Sequence, residues 1–193
     1  MPRIQTDSLA AHRDWRRSQL IDAAAAIALE SGGHSITVAA VAQRAGLSRT
    51  SVYEYFASSA DLVADLVIDE LDSFAHDLKL AVSDEADPYK SIEIWISSSL
   101  MYIADGRHLL AKALNAVELP RDRSSDIGTA HRALLAPLTN SLQEIGVTDI
   151  SQCLSLLQSI TDVATKRIEN GTDAESEIAK TIAFCIAGIR SLI

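Results

Sequence analysis

The segment VAAVAQRAGLSRTSVYEYF, residues 38–56, constrains the fold of this chain more than any other stretch. Two short helical patterns lie on either side of one glycine, Gly46. Thr37 stands just before the first and Ser48 just before the second, each where a side-chain oxygen caps a helix start. Gly46 supplies the left-handed backbone that a sharp turn between helices requires. Ala42 is small where the two helices must approach closely. Val41, Ala45, Leu47 and Val52 form an inward apolar set, and the second helix keeps Arg49, Thr50, Ser51, Tyr53, Glu54 and Tyr55 outward. These are the steric demands of a helix-turn-helix.

The charge distribution sharpens that reading. The whole chain carries a formal net charge of -9, yet residues 1–60 hold six basic against five acidic residues, and the remainder holds 11 against 21. The first third is therefore the part of the chain that phosphates would not repel on average. On the outward face, Arg49 reaches guanine O6 and N7 with two donors, and Thr50 and Ser51 serve bases or phosphates. Tyr53 and Tyr55 offer hydroxyls to phosphates and ring faces to thymine methyls. Arg44, near the turn, is expected on the backbone. Glu54 is the one outward residue that a phosphate would repel.

The rest of the sequence is helical in pattern. Leu20, Ile21, Ala24, Ile27 and Ala28 fall at three- and four-residue steps, and the paired glycines of SGGH, residues 31–34, stop that first helix. Ser58 with Asp61 forms an approximate capping box before a long helix over 59–82. Further helices are expected over 89–104, 107–119, 125–145, 149–170 and 173–192, which makes about nine and no strand. The expected class is all-α. Residues 1–12 read as an unpatterned polar arm, 13–58 as a helix-turn-helix domain, and 59–193 as a helical ligand-binding and dimerisation domain.

Residues 13–67 resemble the DNA-binding domain of the tetracycline-repressor (TetR) family, carried by LIDAAAAIALESGGHSITVAAVAQRAGLSRTSVYEYFASSADLV. The apolar first helix, Thr37, VAQRAGLS and VYEYF match in order and spacing. The resemblance implies a dimeric repressor that a small ligand releases from a palindromic operator. It places Thr37, Arg49, Thr50, Ser51, Tyr53 and Tyr55 at DNA-facing positions. The family often opens its fourth helix with a polar residue and a phosphate-binding Lys. Here the positions read Ser58 and Ser59, so Ser59 and the adjacent backbone N–H groups are left to hold a phosphate, more weakly.

Beyond that domain the resemblance extends only to length and helix count. The last two helices carry broad apolar faces, Leu154, Leu157, Ile160, Val163 and Ala164, then Ile178, Ile182, Cys185, Ile186 and Ile189. Small Ala183, Ala187 and Gly188 permit close helix approach, so a homodimer seam is expected there. Trp95, Ser98, Ser99 and Tyr102 put hydroxyls and aromatic rings on one apolar helix, and Pro137 is expected to kink another. Together they are expected to line the chamber for an apolar or amphipathic effector.

The 2 cysteines, Cys153 and Cys185, read as buried free thiols. His76, His108 and His131 lack ligand spacing, so no metal or other cofactor is expected. No nucleophile–base motif, P-loop or GxGxxG occurs, which leaves an all-α enzyme without converging catalytic groups. A DNA-binding regulator with no effector is the other alternative. The chain lacks a membrane-spanning apolar run and a signal-peptide core, and a cytoplasmic location is expected.

Overall fold

The computed structural model of the protein describes residues 6–114 and 118–193, with side chains from residue 11 onward. Nine α-helices, two short 3-10 turns and no strand make up the described residues. In order these are α1 (Thr6–Ser31), α2 (Val38–Ala45), α3 (Arg49–Tyr53), α4 (Ser59–Val82) and α5 (Pro88–Ala104). Then follow α6 (Leu109–Leu114), α7 (Ser124–Ile145), α8 (Ile150–Glu169) and α9 (Ala174–Arg190). The all-α class and the nine helices read from the sequence are both present.

Several boundaries differ from the sequence reading, most of them by one or two residues. Helix α1 begins at Thr6, so much of the polar 1–12 stretch is helical. No glycine or proline interrupts the chain between Thr6 and Arg13, and nothing stops the helix from extending that way. Residues 1–5 of the expected arm lie outside the described residues. Helix α6 starts at Leu109 rather than 107, and residues 115–117 of that expected helix also lie outside the described residues. Helix α3 ends at Tyr53, and the Phe56 N–H turns back to the Val52 carbonyl at 3.0 Å.

The chain gathers into two compact units, one holding the sequence up to Glu70 with Leu109–Ile127, the other Leu71–His108 with Gly128–Ile193. In the first, the α1 stripe Leu20, Ile21, Ala24, Ile27 and Ala28 is buried against Val41, Ala42, Val52, Phe56, Leu62 and Leu66. Each large apolar side chain fully buried there is worth roughly 1.5–3 kcal/mol. Asp65 of α4 accepts from Arg17 of α1 at 2.7 Å and from Arg123 of the turn preceding α7. That carboxylate ties three segments around the core.

In the second unit α5 packs against α8 and α9. Its Ile92, Ile96 and Leu100 recur every four residues and are all buried, with Trp95 beside them. Asp87, Asp149 and Asp173 cap α5, α8 and α9, each accepting a backbone N–H at 2.9 Å. Cys153 and Cys185 are free and buried in this core, as the sequence suggested. No described helix is long and apolar enough to cross a membrane.

Candidate nucleic-acid interface

Capping chemistry sets the angle of the recognition segment. The Thr37 hydroxyl oxygen accepts from the Ala40 N–H at 3.1 Å and starts α2. At its other end Gly46 has φ 67° and ψ 31°, the left-handed conformation. The Leu47 N–H reaches the Ala42 carbonyl at 2.9 Å and the Gly46 N–H reaches that of Gln43 at 3.3 Å. This pair of bonds is a Schellman closure, and it satisfies carbonyls the helix end leaves open. Ser48 then accepts from the Ser51 N–H at 3.0 Å and starts α3. Its hydroxyl also lies 2.9 Å from that of Ser51.

With Val52 completely buried, α3 has one inward anchor and turns its other residues outward. Thr37, Ser48, Arg49, Thr50, Tyr53 and Glu54 are exposed, and Ser51, Tyr55 and Ser59 are half-buried. Arg49, Thr50 and Tyr53 thus share one accessible surface on a short, rigidly capped helix. Tyr55 packs partly on the core and lies beneath Arg13, whose guanidinium carbon is 6.0 Å from the ring centre.

One expected contact has a local partner, and another stands beside an acidic cap. Arg44 makes two hydrogen bonds of 2.6 Å to the Glu30 carboxylate, a planar fork on a planar acceptor. Hydrogen bonding to Arg44 holds the Glu30 carboxyl below its ordinary range. At the start of α4, the Ser58 hydroxyl accepts from the Asp61 N–H at 3.1 Å and donates to the Asp61 carboxylate at 2.9 Å. Ser59 therefore stands next to an acidic cap.

The expected effector residues separate into different surroundings within the second unit. Ser98 and Tyr102 line a cavity of about 340 Å³ together with Phe74, Asp77 and Arg107. Tyr102 stacks on Phe74 with ring centres 4.1 Å apart, and Arg107 lies 4.7 Å above the Tyr102 ring. Arg107 also donates to Asp77 at 2.6 Å. Pro137 lines a second, larger space of about 730 Å³ with Ala75, Lys79, Ala133 and Ala136. Trp95 is buried and its indole N–H donates to the Leu134 carbonyl at 2.9 Å. The Ser99 hydroxyl is buried without a hydrogen-bond partner.

Pro137 sits inside α7, which continues through it. A proline there lacks the N–H for the carbonyl four residues back and crowds that turn. Trp95 supplies a donor to the same turn from outside the helix. Sequence reasoning marked Pro137 and Trp95 but not the bond from Trp95 to Leu134, whose ends are 39 residues apart.

On α8 and α9 the structure exposes Leu156, Val163 and Phe184, and just past α9 it exposes Leu192. A groove of about 270 Å³ is lined by Leu156, Phe184 and Leu192 together with Ile160, Gly188 and both cysteines. Most of the apolar residues named from the sequence on these helices, among them Leu157, Ala164, Ile178 and Ile186, are buried inside the unit. Phe184 and Leu156 were missed because each stands beside the stripe rather than on it. Among the described residues no group of His, Cys, Asp or Glu could hold a metal ion.

Residues 20–66 match the family model of bacterial regulatory proteins, tetR family. The matched residues include the capped turn, the exposed α3 and the buried stripe of α1 described above. The N-terminal part of the chain thus carries the tetR-family regulatory domain, matched over residues 20–66. A fatty acid metabolism regulator protein of Bacillus subtilis (strain 168) is 28% identical over 93 residues, which are 48% of this chain and 47% of that protein. The match thus spans about half the length of that relative. Two solved structures share the fold of this chain. The transcriptional regulator FadR from Bacillus subtilis, in complex with stearoyl-CoA, is 21% identical with a TM-score of 0.73, covering 89% of this chain and 98% of that one. The fatty acid degradation regulator FadR from Bacillus halodurans is 19% identical with a TM-score of 0.72, covering 89% and 94%.

Proposed function

We propose that this chain is a TetR-like repressor that binds a palindromic operator as a homodimer and is released by a small apolar or amphipathic effector. The observation that carries the DNA half is the exposed Arg49, Thr50 and Tyr53 surface on α3, held by the Schellman turn at Gly46. The N-terminal turn of α3 enters the major groove first, and Arg49 reads a guanine. Residues 13–58 carry this contact and 59–193 carry effector binding and assembly. Thr37, Arg44, Ser48, Ser51, Tyr55 and Ser59 complete the proposed contact set, with Arg44 exchanging Glu30 for a phosphate.

Assembly follows from reach. Two recognition helices must meet half-sites roughly 34–36 Å apart, which one copy cannot do. Exposed Leu156, Val163 and Phe184 on α8 and α9, with Leu192 just past α9, form the apolar surface for a second copy. The effector site lies in the second unit, among Trp95, Ser98, Ser99, Tyr102 and Pro137. Spaces of about 340 and 730 Å³ on either side of the α4 C-terminal half give room for a ligand, and the larger has mostly small apolar walls. A long-chain acyl thioester is the effector class we favour, since FadR from Bacillus subtilis was solved with stearoyl-CoA and a curated relative regulates fatty acid metabolism. The regulator works in the cytoplasm, where both DNA and acyl thioesters are found.

Stearoyl-CoA is added to the protein bound to a fluorescent duplex selected from a random-sequence pool. The proposal expects anisotropy to fall to the free-DNA value. Unchanged anisotropy at saturating stearoyl-CoA would reject the acyl effector, and failure to select any duplex would reject the DNA-binding role.

A further inference from the structure

We infer that Arg13 of α1 is a DNA-phosphate contact, working beside the recognition helix. This rests on the DNA-binding reading above and adds to it a residue from outside the 38–56 segment.

The placement comes from helix periodicity. Arg13, Arg17, Leu20 and Ala24 follow one another at steps of three and four, so they share one face of α1. The apolar part of that face ends at Leu20, which is completely buried. One turn outward, Arg17 is closed off by Asp65 at 2.7 Å and Asp69 at 3.6 Å. One turn further, Arg13 is exposed, and its guanidinium lies 6.0 Å from the ring centre of Tyr55. Tyr55 follows directly on α3, so the helix that builds the core also delivers a cation to the end of the recognition segment.

Charge accounting separates Arg13 from its neighbours. Arg44 is held by Glu30, and Arg17 by Asp65 and Asp69. Among the described residues up to 60, Arg13, Arg16 and Arg49 have no carboxylate within ion-pair distance. Arg16 lies over Trp15 of its own helix, at 5.1 Å. Arg49 is already on the recognition surface. Arg13 is thus an open cation oriented by a residue of the helix-turn-helix. Stacking on an aromatic face limits the rotamers of a long side chain while leaving its N–H donors free for an anion. The repeating anion at a DNA surface is the backbone phosphate, and a guanidinium fork suits it.

The alternative is that Arg13 only packs on Tyr55. Salt dependence separates the two, because each neutralised phosphate releases counterions and steepens the fall of binding with salt. Binding of wild type, Arg13→Ala and Arg13→Lys to the selected fluorescent duplex is measured over a series of salt concentrations. One phosphate contact per half-site predicts that Arg13→Ala lowers the slope of log K against log salt by about 0.9 per half-site. Arg13→Lys keeps the slope, and neither variant changes the ranking of base-substituted duplexes. An Arg13→Ala slope equal to wild type overturns the inference and leaves the DNA-binding reading standing. Equal weakening by Ala and Lys at an unchanged slope also overturns it, in favour of packing on Tyr55. A wild type that selects no duplex removes both.

Discussion

Gly46 holds φ 67°, a backbone conformation that side chains with a Cβ resist. A Cβ added there would meet nothing within 4 Å, so the cost of Gly46→Ala lies in the backbone alone. We expect a loss of about 1–2 kcal/mol, read as a lower urea midpoint at unchanged m-value. An unchanged midpoint would mean the turn relaxes without the Schellman bonds. Trp95→Phe keeps the ring in the core and removes the bond to Leu134, for an expected loss of about 1 kcal/mol in the same measurement. Cys185 is pushed up from 9.0 to about 11 by burial, with Cys153 adding to the shift. The fold favours its neutral thiol, so that contribution is full below the unfolded pKa near 9.0 and is lost as pH rises through about 11. A thiol reagent at neutral pH is expected to label Cys153 and Cys185 far more slowly in the folded protein than in urea. Rapid labelling of the folded protein would contradict their burial.

At the scale of elements, the parts legible in the sequence are those with short-range causes. Thr37, Gly46 and Ser48 act on residues three or four positions away, and their spacing alone marked the turn. The α1 stripe was readable for the same reason. What the sequence hid was long-range. Arg44 meets Glu30 14 residues away, and Trp95 meets Leu134 39 residues away. No local pattern marks either pair. The proposed effector residues show the same limit, because Ser98 and Pro137 are each marked by composition, yet they line different spaces. On α8 and α9 the apolar stripe is the inner face, and the outer one is sparser, with Phe184 standing out at 66% exposure. Phe184→Glu and Gly188→Trp are expected to weaken self-association by about 2 kcal/mol each, about thirtyfold in Kd. Sedimentation at micromolar concentration checks this. A wild type that sediments as a monomer would contradict the proposed seam.

For the whole molecule, the two compact units share α4 and α7 by chain continuity, since each helix has residues in both. Our reading makes α4 the lever through which effector occupancy reaches the recognition segment. Coupling of this kind is reciprocal, so DNA must weaken effector binding by the same factor as effector weakens DNA binding, typically about 5–150-fold. Titration of stearoyl-CoA with and without the selected duplex checks that equality. The net charge of -9 sets DNA against most of the molecule, and attraction must come from the few open cations near α3. The most direct measurement of the central claim compares wild type and Arg49→Ala on the selected duplex and on duplexes with each base pair substituted. The account predicts that Arg49→Ala loses roughly 1–3 kcal/mol on the selected duplex and no longer discriminates at one position per half-site. Wild-type affinity and unchanged discrimination in Arg49→Ala would contradict α3 as the element that reads DNA.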